Sequence, residues 1–360
     1  MSRPRSTRIN LAAIAERLGF SVSTVSRALR GVDGIHPETR TQIAALAHQM
    51  GYVLPGGAAN NKAPTSQLAA PQHVLALSQS NSPQTPQRFM AGMSATAVTA
   101  NVAILSHLVT HDQCASVLEP RTAPASFRSG LIKGVVLIHR WPEAVAQAIA
   151  EKFPTVSIIH DYAGTNIDQI GIDDRRGMAE LIHHLHAGGH RRIGFFGLCT
   201  EMTWSCSRYA AYVESLTRLD LEFNPNQVIR VDLPSALSPV EFSAVDAFEK
   251  VRDQLRQGVD AWVCASSMIG QSLCRYLLAQ GLRLPEDLSL VTCHGTSIAS
   301  APDMPVITCT DVIDEELGAA AVRRLINRLE TPEESRRAIL VPSRLRVGAT
   351  TRVPANANPA

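Results

Sequence analysis

The sequence predicts an α/β protein with a three-helix head at its N-terminus and a body of two doubly wound, Rossmann-like subdomains. Three observations lead to this fold class. Residues 1–53 contain three short helical patterns, residues 54–72 are rich in Pro, Gly, Ala and Asn, and later residues alternate apolar strands with amphipathic helices. Continuous apolar strands separated by helices indicate parallel sheets that are covered on both faces.

The composition is that of a globular protein with a sizeable core. Of the 360 residues, 45% are apolar and 18% are charged, and the length favours two or three domains. No apolar run approaches the roughly 18 residues of a membrane-spanning helix. Glu16 and Arg17 interrupt any signal-peptide core. The seven cysteines are scattered without a Cys-x-x-Cys pair, which favours reduced thiols in a cytoplasm over a disulfide framework or a zinc site.

Positive charge is concentrated at the N-terminus. Residues 1–62 contain eight Lys or Arg and three acidic residues, a net charge of +5, whereas the whole chain has a net charge of only +2. The remainder is therefore mildly acidic. A small basic head on an acidic body is typical of a nucleic-acid-binding module that is attached to another domain.

Three helices are predicted in the head. The first spans residues 9–18, where apolar side chains recur at helical spacing. The second spans residues 22–30 and follows Ser21, a suitable N-cap. The third begins at Pro37, a favoured first-turn residue, and stops at Gly51. Two short helices around a tight turn, with a third in support, predict a helix-turn-helix.

The second of these helices has an unusual outer face. Its core side should carry Val25, Ala28 and Leu29, and its outer side carries Val22, Ser23, Ser26 and Arg27. Small side chains approach base edges closely, hydroxyls bind phosphates and bases, an apolar group contacts thymine methyls, and Arg binds guanine or phosphate. We therefore predict that this face enters the major groove of DNA. An ordinary three-helix bundle with a solvated face is the alternative.

The body contains seven apolar segments that we interpret as buried strands: 73–77, 102–106, 134–138, 155–159, 192–197, 259–265 and 288–293. Six segments between or after them have helical patterns: 87–100, 142–152, 175–187, 206–219, 240–257 and 268–280. This is too many elements for one ordinary sheet, so we expect two subdomains.

The head resembles a known family. "LAAIAERLGFSVSTVSRALRG…HPETRTQIAALAHQMGY" is similar to the DNA-binding head of the lactose/galactose repressor (LacI-type) family of bacterial transcriptional regulators. The positions that match are Ser21, Thr24, Val25, Ser26, Arg27, Thr39, Arg40, Gly51 and Tyr52. Val22 and Ser23 fall where that family places its variable base-reading residues.

The resemblance extends over about residues 8–350. "GIDDRRGMAELIHHLHAGGHRRIGFFG", "GLRLPEDLSLV" and "MPVITCTDVIDEELGAAAVRRLI" are similar to segments of the family's body. The resemblance implies a periplasmic-binding-protein-like sensor. Its two subdomains would be joined by three crossovers, with a ligand cleft between them and a dimer interface along their sides.

We divide the chain accordingly. Residues 1–53 form the DNA-binding head, 54–72 a linker or hinge, 73–350 the ligand-sensing body and 351–360 a flexible tail. Within the body, we expect the first subdomain to consist of about residues 73–170 and 296–330. We expect the second to consist of about residues 171–295 and 331–350.

The linker departs from the family's pattern. The family usually forms a hinge helix there, with an Ala-Arg pair and a Leu that wedges into the minor groove. Residues 54–64 read "LPGGAANNKAP", with adjacent glycines, no Arg and no matching Leu. We expect no leucine wedge, because glycine disfavours a helix. A helix that forms on DNA around residues 58–62 is the alternative.

The resemblance also implies ligand-binding positions in the cleft. Arg208 lies where the family has its ligand-binding arginine, with a surface arginine as the alternative, and Trp204 could stack on a sugar or pack on a loop. Ser266 and His294 replace family polar residues. The family's aspartate aligns with either His160 or Asp161. Imidazoles near Arg208 would make the cleft more positive, which suggests an anionic effector; a drifted or empty pocket is the alternative.

The expected function is that of a transcriptional repressor. A homodimer would bind a pseudo-palindromic double-stranded operator, under control of a sugar-like effector, in the cytoplasm and on the nucleoid when DNA-bound. The predicted DNA contacts are Ser21, Val22, Ser23, Thr24, Ser26, Arg27, Arg30, Arg40 and Tyr52, with phosphate contacts from the arm residues Arg3, Arg5 and Arg8. A cytoplasmic sugar-binding protein and an effector-independent regulator are the alternatives.

Enzyme activity, a cofactor and a metal are not expected. No Gly-x-Ser-x-Gly, P-loop or post-strand Gly-x-Gly-x-x-Gly motif is present. His183, His186 and His190 have spacings of the kind seen in metal sites, but the family's Gly-His motif and the solvated face of a helix account for them.

Overall fold

The computed structural model describes residues 11–29, 35–50, 71–79, 85–232, 245–295 and 304–352. The chain divides into two compact units, residues 1–69 and 70–360. The predicted linker, the arm arginines, Arg30 and Tyr52 lie outside the described residues.

The three predicted helices of the head are confirmed. They are α1 (Leu11–Leu18), α2 (Val22–Leu29) and α3 (Pro37–Gln49). Their shared core consists of small and branched apolar side chains: Ile14, Ala15, Val25, Ala28, Ile43 and Ala47. The tight turn between α1 and α2 passes through Gly19, whose φ of 70° lies in the left-handed region that favours glycine.

The first subdomain of the body is a six-stranded parallel sheet. Its strand order is β11-β5-β4-β3-β1-β2. The strands are β1 (Gln72–Gln79), β2 (Val102–Val109), β3 (Ile132–Leu137), β4 (Thr155–Ile158), β5 (Asp168–Ile172) and β11 (Ala338–Val341). Its helices are α4 (Thr85–Ala100), α5 (Ala125–Arg128), α6 (Glu143–Ala150) and α11 (Asp314–Glu330).

Both faces of this sheet are covered by apolar side chains. Val74 and Ala76 of β1 pack in a cluster that includes residues of α4 and α11. Leu75 and Leu77, which point to the opposite face, pack in a second cluster that includes residues of α6. The continuous apolar run in the sequence is therefore explained by burial on both sides.

The second subdomain repeats this architecture. Its strand order is β12-β10-β9-β8-β6-β7, with β12 antiparallel to β10 and all other pairs parallel. The strands are β6 (Ile193–Leu198), β7 (Val228–Arg230), β8 (Ala261–Cys264), β9 (Ser289–Thr292), β10 (Thr308–Asp311) and β12 (Arg344–Arg346). Its helices are α7 (Asp174–Ala187), α8 (Thr203–Arg218), α9 (Val245–Arg256) and α10 (Ser267–Ala279).

Within the described residues the chain passes between the two sheets three times: after β5, after β10 and after β11. The subdomain boundaries differ from those drawn from the sequence. Strand β10 pairs with β9 in the second sheet, although residues 296–330 were assigned to the first. Strand β11 pairs with β5 in the first sheet, although residues 331–350 were assigned to the second.

The reason for this difference is chemical. β10 has the sequence TCTD and lacks an apolar run, yet its first three residues are buried. Its threonines are satisfied by hydrogen bonds: Thr308 accepts the amide of Gly348 on its hydroxyl, and Thr310 accepts the amide of His294. A buried strand that depends on side-chain hydrogen bonds carries little hydrophobic signal.

Candidate DNA-binding surface and ligand cleft

The start of α2 is organised by hydroxyl groups. The Ser21 hydroxyl accepts the backbone N–H of Thr24 at 3.1 Å, which is the N-cap hydrogen bond that was predicted. The same oxygen lies 2.8 Å from the hydroxyls of both Ser23 and Thr24. The cap therefore orients the hydroxyls of the first turn of α2.

The outer face of α2 presents an apolar, a hydroxyl and a basic side chain together. Val22 is 47% exposed, and Ser23 and Arg27 are also exposed. Val25 and Ala28 face the core of the head. This is the combination that direct base recognition and phosphate binding require.

One predicted DNA contact on this helix is wrong in its orientation. Ser26 was expected to face outward but is only 8% exposed. Its side chain is small enough to lie beside Val25 within the buried stripe of α2 without displacing the neighbouring core residues. Arg40, another predicted contact, lies half-buried on α3.

A cavity of about 230 Å³ lies between the two subdomains. Its walls include the carboxyl ends of β4 and β5 and the first turns of α7 and α8. The polar and aromatic lining residues are Asp161, Gln169, Asp173, Asp174, Arg175, Thr203, Trp204 and Ser207. Ligands of open parallel sheets bind outside the carboxyl ends of the strands.

Strained backbone marks the strand ends that meet at this cleft. His139 follows β3 with φ 69°, Ile159 follows β4 with φ 70°, and His294 follows β9 with φ 53°. These residues are not glycine, and Ile159, which lines the cavity, is β-branched. Such outliers cluster at functional sites, where the surrounding structure enforces them. The cleft is therefore the candidate ligand site.

Arg208 does not line this cavity; it contacts Asp174 and Trp204, which do, and directs its donors into the protein. Its Nε donates to Asp174 Oδ1 at 2.8 Å and its Nη1 donates to the Ala265 carbonyl at 2.7 Å. The side chain is 3% exposed. Burial alone would lower the pKa of Arg208, but Asp174 raises it above the ordinary value, so the guanidinium remains charged.

Trp204 lies beside Arg208 in the first turn of α8. The Cζ atom of Arg208 is 4.9 Å from the centroid of the indole. Helix α8 begins three residues before the predicted start at 206, so Trp204 is fixed on a helix and does not pack on a loop. Trp204 and Asp161 both line the cavity.

The remaining predicted ligand residues have other partners. Asp161 forms an ion pair with Arg336. The Ser266 hydroxyl accepts the Ile269 amide at 3.5 Å as the N-cap of α10. His294 Nε2 is 3.4 Å from Asp314 Oδ1, a contact that joins the second subdomain to the start of α11 in the first.

The imidazoles of His139 and His160 are neutral, contrary to the reasoning from sequence. Burial, with smaller contributions from the nearby His139 and Arg140, lowers the pKa of His160 to about 3. Burial lowers the pKa of His139 to about 4. Because the ion pair with Asp174 balances the charge of Arg208, the argument for an anionic effector from imidazoles around Arg208 loses its basis.

Sequence reasoning missed several residues of this site. Asp173, Thr203 and Ser207 line the cavity, and His139 accepts the Gln79 amide on Nδ1 at 3.2 Å. The Asp-Asp pair at 173–174 directly follows β5, a strand that the sequence analysis did not assign. Recognising β5 would have placed both carboxylates at the cleft, because polar residues at strand ends converge there.

A serine–histidine–aspartate chain exists elsewhere in the body. His190 Nδ1 lies 2.9 Å from Asp260 Oδ1, and its Nε2 lies 2.8 Å from the Ser289 hydroxyl. Ser289 is fully buried, and its oxygen accepts the Arg352 amide at 3.2 Å. A nucleophile needs access to its substrate, so this arrangement holds the C-terminal segment in place.

The described residues contain no group of three or more His, Cys, Asp or Glu side chains placed to hold a metal ion. They also contain no helix long and apolar enough to cross a membrane.

Comparison with known proteins agrees with this geometry. Residues 10–54 match the bacterial regulatory proteins of the lacI family, and residues 182–351 match the periplasmic binding protein-like domain. The chain is thus similar to the lacI family in its head and to the periplasmic binding protein-like domain in its body. The helix-turn-helix head and the two parallel-sheet subdomains of the structure match the LacI fold.

LacI-family relatives align over nearly the whole chain. The HTH-type transcriptional regulator CelR of Thermobifida fusca is 26% identical over 350 residues, covering 92% of this chain and 96% of its own. The HTH-type transcriptional repressor CytR of Escherichia coli K12 is 22% identical over 331 residues, covering 91% of this chain and 92% of its own. The chain is thus similar throughout its length to transcriptional regulators.

Solved structures share the fold. A CelR–cellobiose complex superposes with a TM-score of 0.63 at 21% identity, covering 95% of this chain and 100% of the other. The lac repressor dimer bound to operator and an anti-inducer superposes with a TM-score of 0.61 at 20% identity, covering 96% of this chain and 99% of the other.

Proposed function

We propose that this LacI-family transcriptional regulator is a repressor that binds a pseudo-palindromic operator as a homodimer and is controlled by a small sugar-like effector. The observation that carries the proposal is the outer face of α2, where Val22, Ser23 and Arg27 are exposed side by side. Each protomer presents one such face, so two-fold symmetry sets the spacing of two half-sites. Such a protein acts in the cytoplasm, on the nucleoid when DNA is bound.

Effector control is supported by the cleft. The cavity is lined from both subdomains, so a bound molecule contacts both at once. A ligand shifts the equilibrium between open and closed bodies only by the difference in its affinity for the two states. The His294–Asp314 contact joins the two subdomains, so a change in their relative position would alter it.

Selection of bound duplexes from a random pool tests DNA binding. We expect a two-fold symmetric motif, and affinity that falls steeply with salt because phosphate contacts release counterions. The double variant Ser23→Ala/Arg27→Ala should weaken binding to the selected duplex by about 1–3 kcal/mol. Lys250→Ala, which removes an exposed positive charge from α9 of the body, is the matched control and should bind as the unaltered chain does.

The alternatives correspond to distinct results. A cytoplasmic sugar-binding protein would bind no duplex at low salt. An effector-independent regulator would bind the selected duplex with an affinity that no sugar changes. Full retention of affinity in the Ser23/Arg27 variant would refute the assignment of α2 as the DNA-reading element.

A further inference from the structure

Asp314 begins α11 with a buried carboxylate whose contacts are long. Its side chain is 1% exposed. Its Oδ1 lies 3.4 Å from His294 Nε2, and its Oδ2, which lies 3.6 Å from Arg88 Nη1, accepts no hydrogen bond from the described residues. A buried charge is costly unless it is paired and hydrogen-bonded. This carboxylate would therefore gain from a further positive charge close to it.

The other charged groups that face this contact are already paired. They come from α4, α11, β10, β12, α7 and α8, and the pairs are Arg88–Glu315, Arg346–Asp311 and Arg208–Asp174. The fork of Arg88 is committed to Glu315, because its Nε and Nη2 donate to the two carboxylate oxygens, both at 3.2 Å. Among these described residues, three arginines thus accompany three carboxylates, and Asp314 is a fourth carboxylate.

Two of these pairs lie beside His294 along the chain. Arg346 Nη2 is 3.3 Å from where a Cβ on the following glycine would lie. Arg208 and Asp174 are close enough to Cys293, the preceding residue, to influence the pKa of its thiol. The imidazole therefore lies among charges that balance one another, with Asp314 as the exception.

The backbone of His294 is fixed by β10. His294 follows β9 in the left-handed region, at φ 53°, and its N–H donates to the Thr310 hydroxyl at 3.1 Å. The N–H of Gly295 donates to the Thr310 carbonyl at 2.6 Å. These bonds hold the imidazole in the second subdomain at a position from which it contacts α11 of the first.

We propose that the imidazole of His294, when it is protonated, supplies the positive charge that Asp314 lacks and latches the two subdomains together, so that operator binding responds to pH. An imidazole gains its charge on acidification, and a charged hydrogen bond is roughly twice as strong as a neutral one. The proposal rests on the proposed function as a DNA-binding regulator and adds a proton-sensitive contact to it.

The latch acts on the relative position of the subdomains. Asp314 follows directly after the passage of the chain from β10 to α11. Helix α11 packs closely against α4, since a Cβ on Gly318 would lie 2.0 Å from the Phe89 carbonyl oxygen. The two helices therefore follow Asp314 together. Protonated His294 favours the subdomain arrangement of the structure over those in which the imidazole is farther from Asp314.

The neighbouring thiols and the Arg88–Glu315 pair do not compete for this role. Burial raises the pKa of Cys293 to about 12 and raises the pKa of Cys309, so both thiols are uncharged. The hydrogen bond from Arg88 lowers the pKa of Glu315, and the same bond raises the pKa of Arg88. Their charges therefore stay constant around neutral pH.

Operator affinity of the full chain at about pH 6 and about pH 8 tests the latch. The probe is the duplex selected from the random pool, at constant salt because phosphate contacts make binding salt-dependent. The ratio of the two affinities should differ by roughly fivefold or more between the unaltered chain and His294→Asn, whose amide takes up no proton. His183→Gln, which removes an exposed imidazole of α7, is the matched control and should keep the ratio of the unaltered chain.

A double-variant cycle shows whether the two groups act as a pair. Asp314→Asn keeps the shape of the side chain without its charge, so a proton on His294 gains nothing from it. The pH ratio of this variant should match that of His294→Asn, and combining the two changes should alter the ratio by no more than about twofold. A neutral amide in place of a buried charge is compatible with folding, which the thermal transition of each variant checks.

The outcomes that overturn the latch differ from those that overturn the proposed function. An unchanged pH ratio in His294→Asn, or additive effects of the His294 and Asp314 variants, would overturn the latch and leave the regulator intact. An equal loss of the pH response in His183→Gln would overturn the assignment to His294. Binding to no duplex at all would overturn the proposed function. The cycle would then be measured on the thermal transition at about pH 6, where additive shifts would overturn the latch.

Discussion

At the scale of single residues, the charge that a side chain brings to the cleft depends on its surroundings. The residue type alone does not show those surroundings. His160 and Arg208 were both expected to bring positive charge to the cleft. Burial keeps the pKa of His160 at about 3, and an ion pair with Asp174 balances the positive charge of Arg208. A sequence shows that these groups exist, but desolvation and pairing depend on neighbours that are distant along the chain.

Desolvation of the His160 imidazole makes stability depend on pH. The pKa of His160 is about 3 in the folded protein and about 6.5 when unfolded, so the unfolded chain binds the proton first. Stability should be fully present above pH 6.5 and should fall as the pH decreases from there towards 3. His139, with a pKa of about 4, adds to the same loss.

Urea unfolding at several pH values measures this dependence. His160→Gln cannot be protonated, so the loss of unfolding free energy between pH 7 and pH 4 should be smaller in that variant. His183→Gln, at an exposed position of α7, is the control and should follow the unaltered chain. An unchanged pH profile in His160→Gln would show that this imidazole is not desolvated.

At the scale of elements, two glycines allow α4 and α11 to pack backbone to backbone. A Cβ atom on Gly318 would lie 2.0 Å from the Phe89 carbonyl oxygen, and one on Gly92 would lie 1.8 Å from that of Glu315. The two glycines thus form reciprocal contacts. Arg88 on α4 adds an ion pair with Glu315 at the start of α11.

Gly318→Ala should therefore push the two helices apart. We expect a loss of about 1–3 kcal/mol or more of unfolding free energy, because neither carbonyl belongs to a flexible group that could move aside. Ser94→Ala on the exposed side of α4 should change it by less than about 0.5 kcal/mol. Equal denaturation midpoints for Gly318→Ala and Ser94→Ala would contradict the close approach.

Strong apolar periodicity made most elements predictable. The helices α1, α2, α7 and α10 begin and end within one residue of the predicted bounds wherever those bounds are described, and seven strands were anticipated. β5, β7, β10, β11 and β12 were not, because each has only three to five residues, and β10 also lacks an apolar run. For the cleft, Trp204 and Asp161 were placed correctly, but Asp173 and Ser207 depend on which strand ends meet, which no local pattern shows.

At the scale of the whole molecule, the head and the body have separate hydrophobic cores. The head core involves α1, α2 and α3 alone, and the three clusters of the body draw on residues beyond 70. The division into units 1–69 and 70–360 agrees with this separation. Each unit therefore has what it needs to fold by itself.

Removal of residues 1–70 should test this independence. The shortened chain should keep the thermal transition of the body within about 2 °C, because no core residue of the body is lost. Operator binding should disappear, since α2 is absent. Calorimetry and a gel-shift assay provide the two measurements; a large fall in the transition temperature would show that the head stabilises the body.

The three passages of the chain between the two sheets have a consequence for how this body can be rearranged. Cutting any one passage leaves the halves joined by two others. Two copies of the protein therefore cannot exchange halves by opening a single connection, as proteins with one hinge loop can. Recombination in evolution faces the same barrier, because grafting a half from another gene requires three simultaneous junctions.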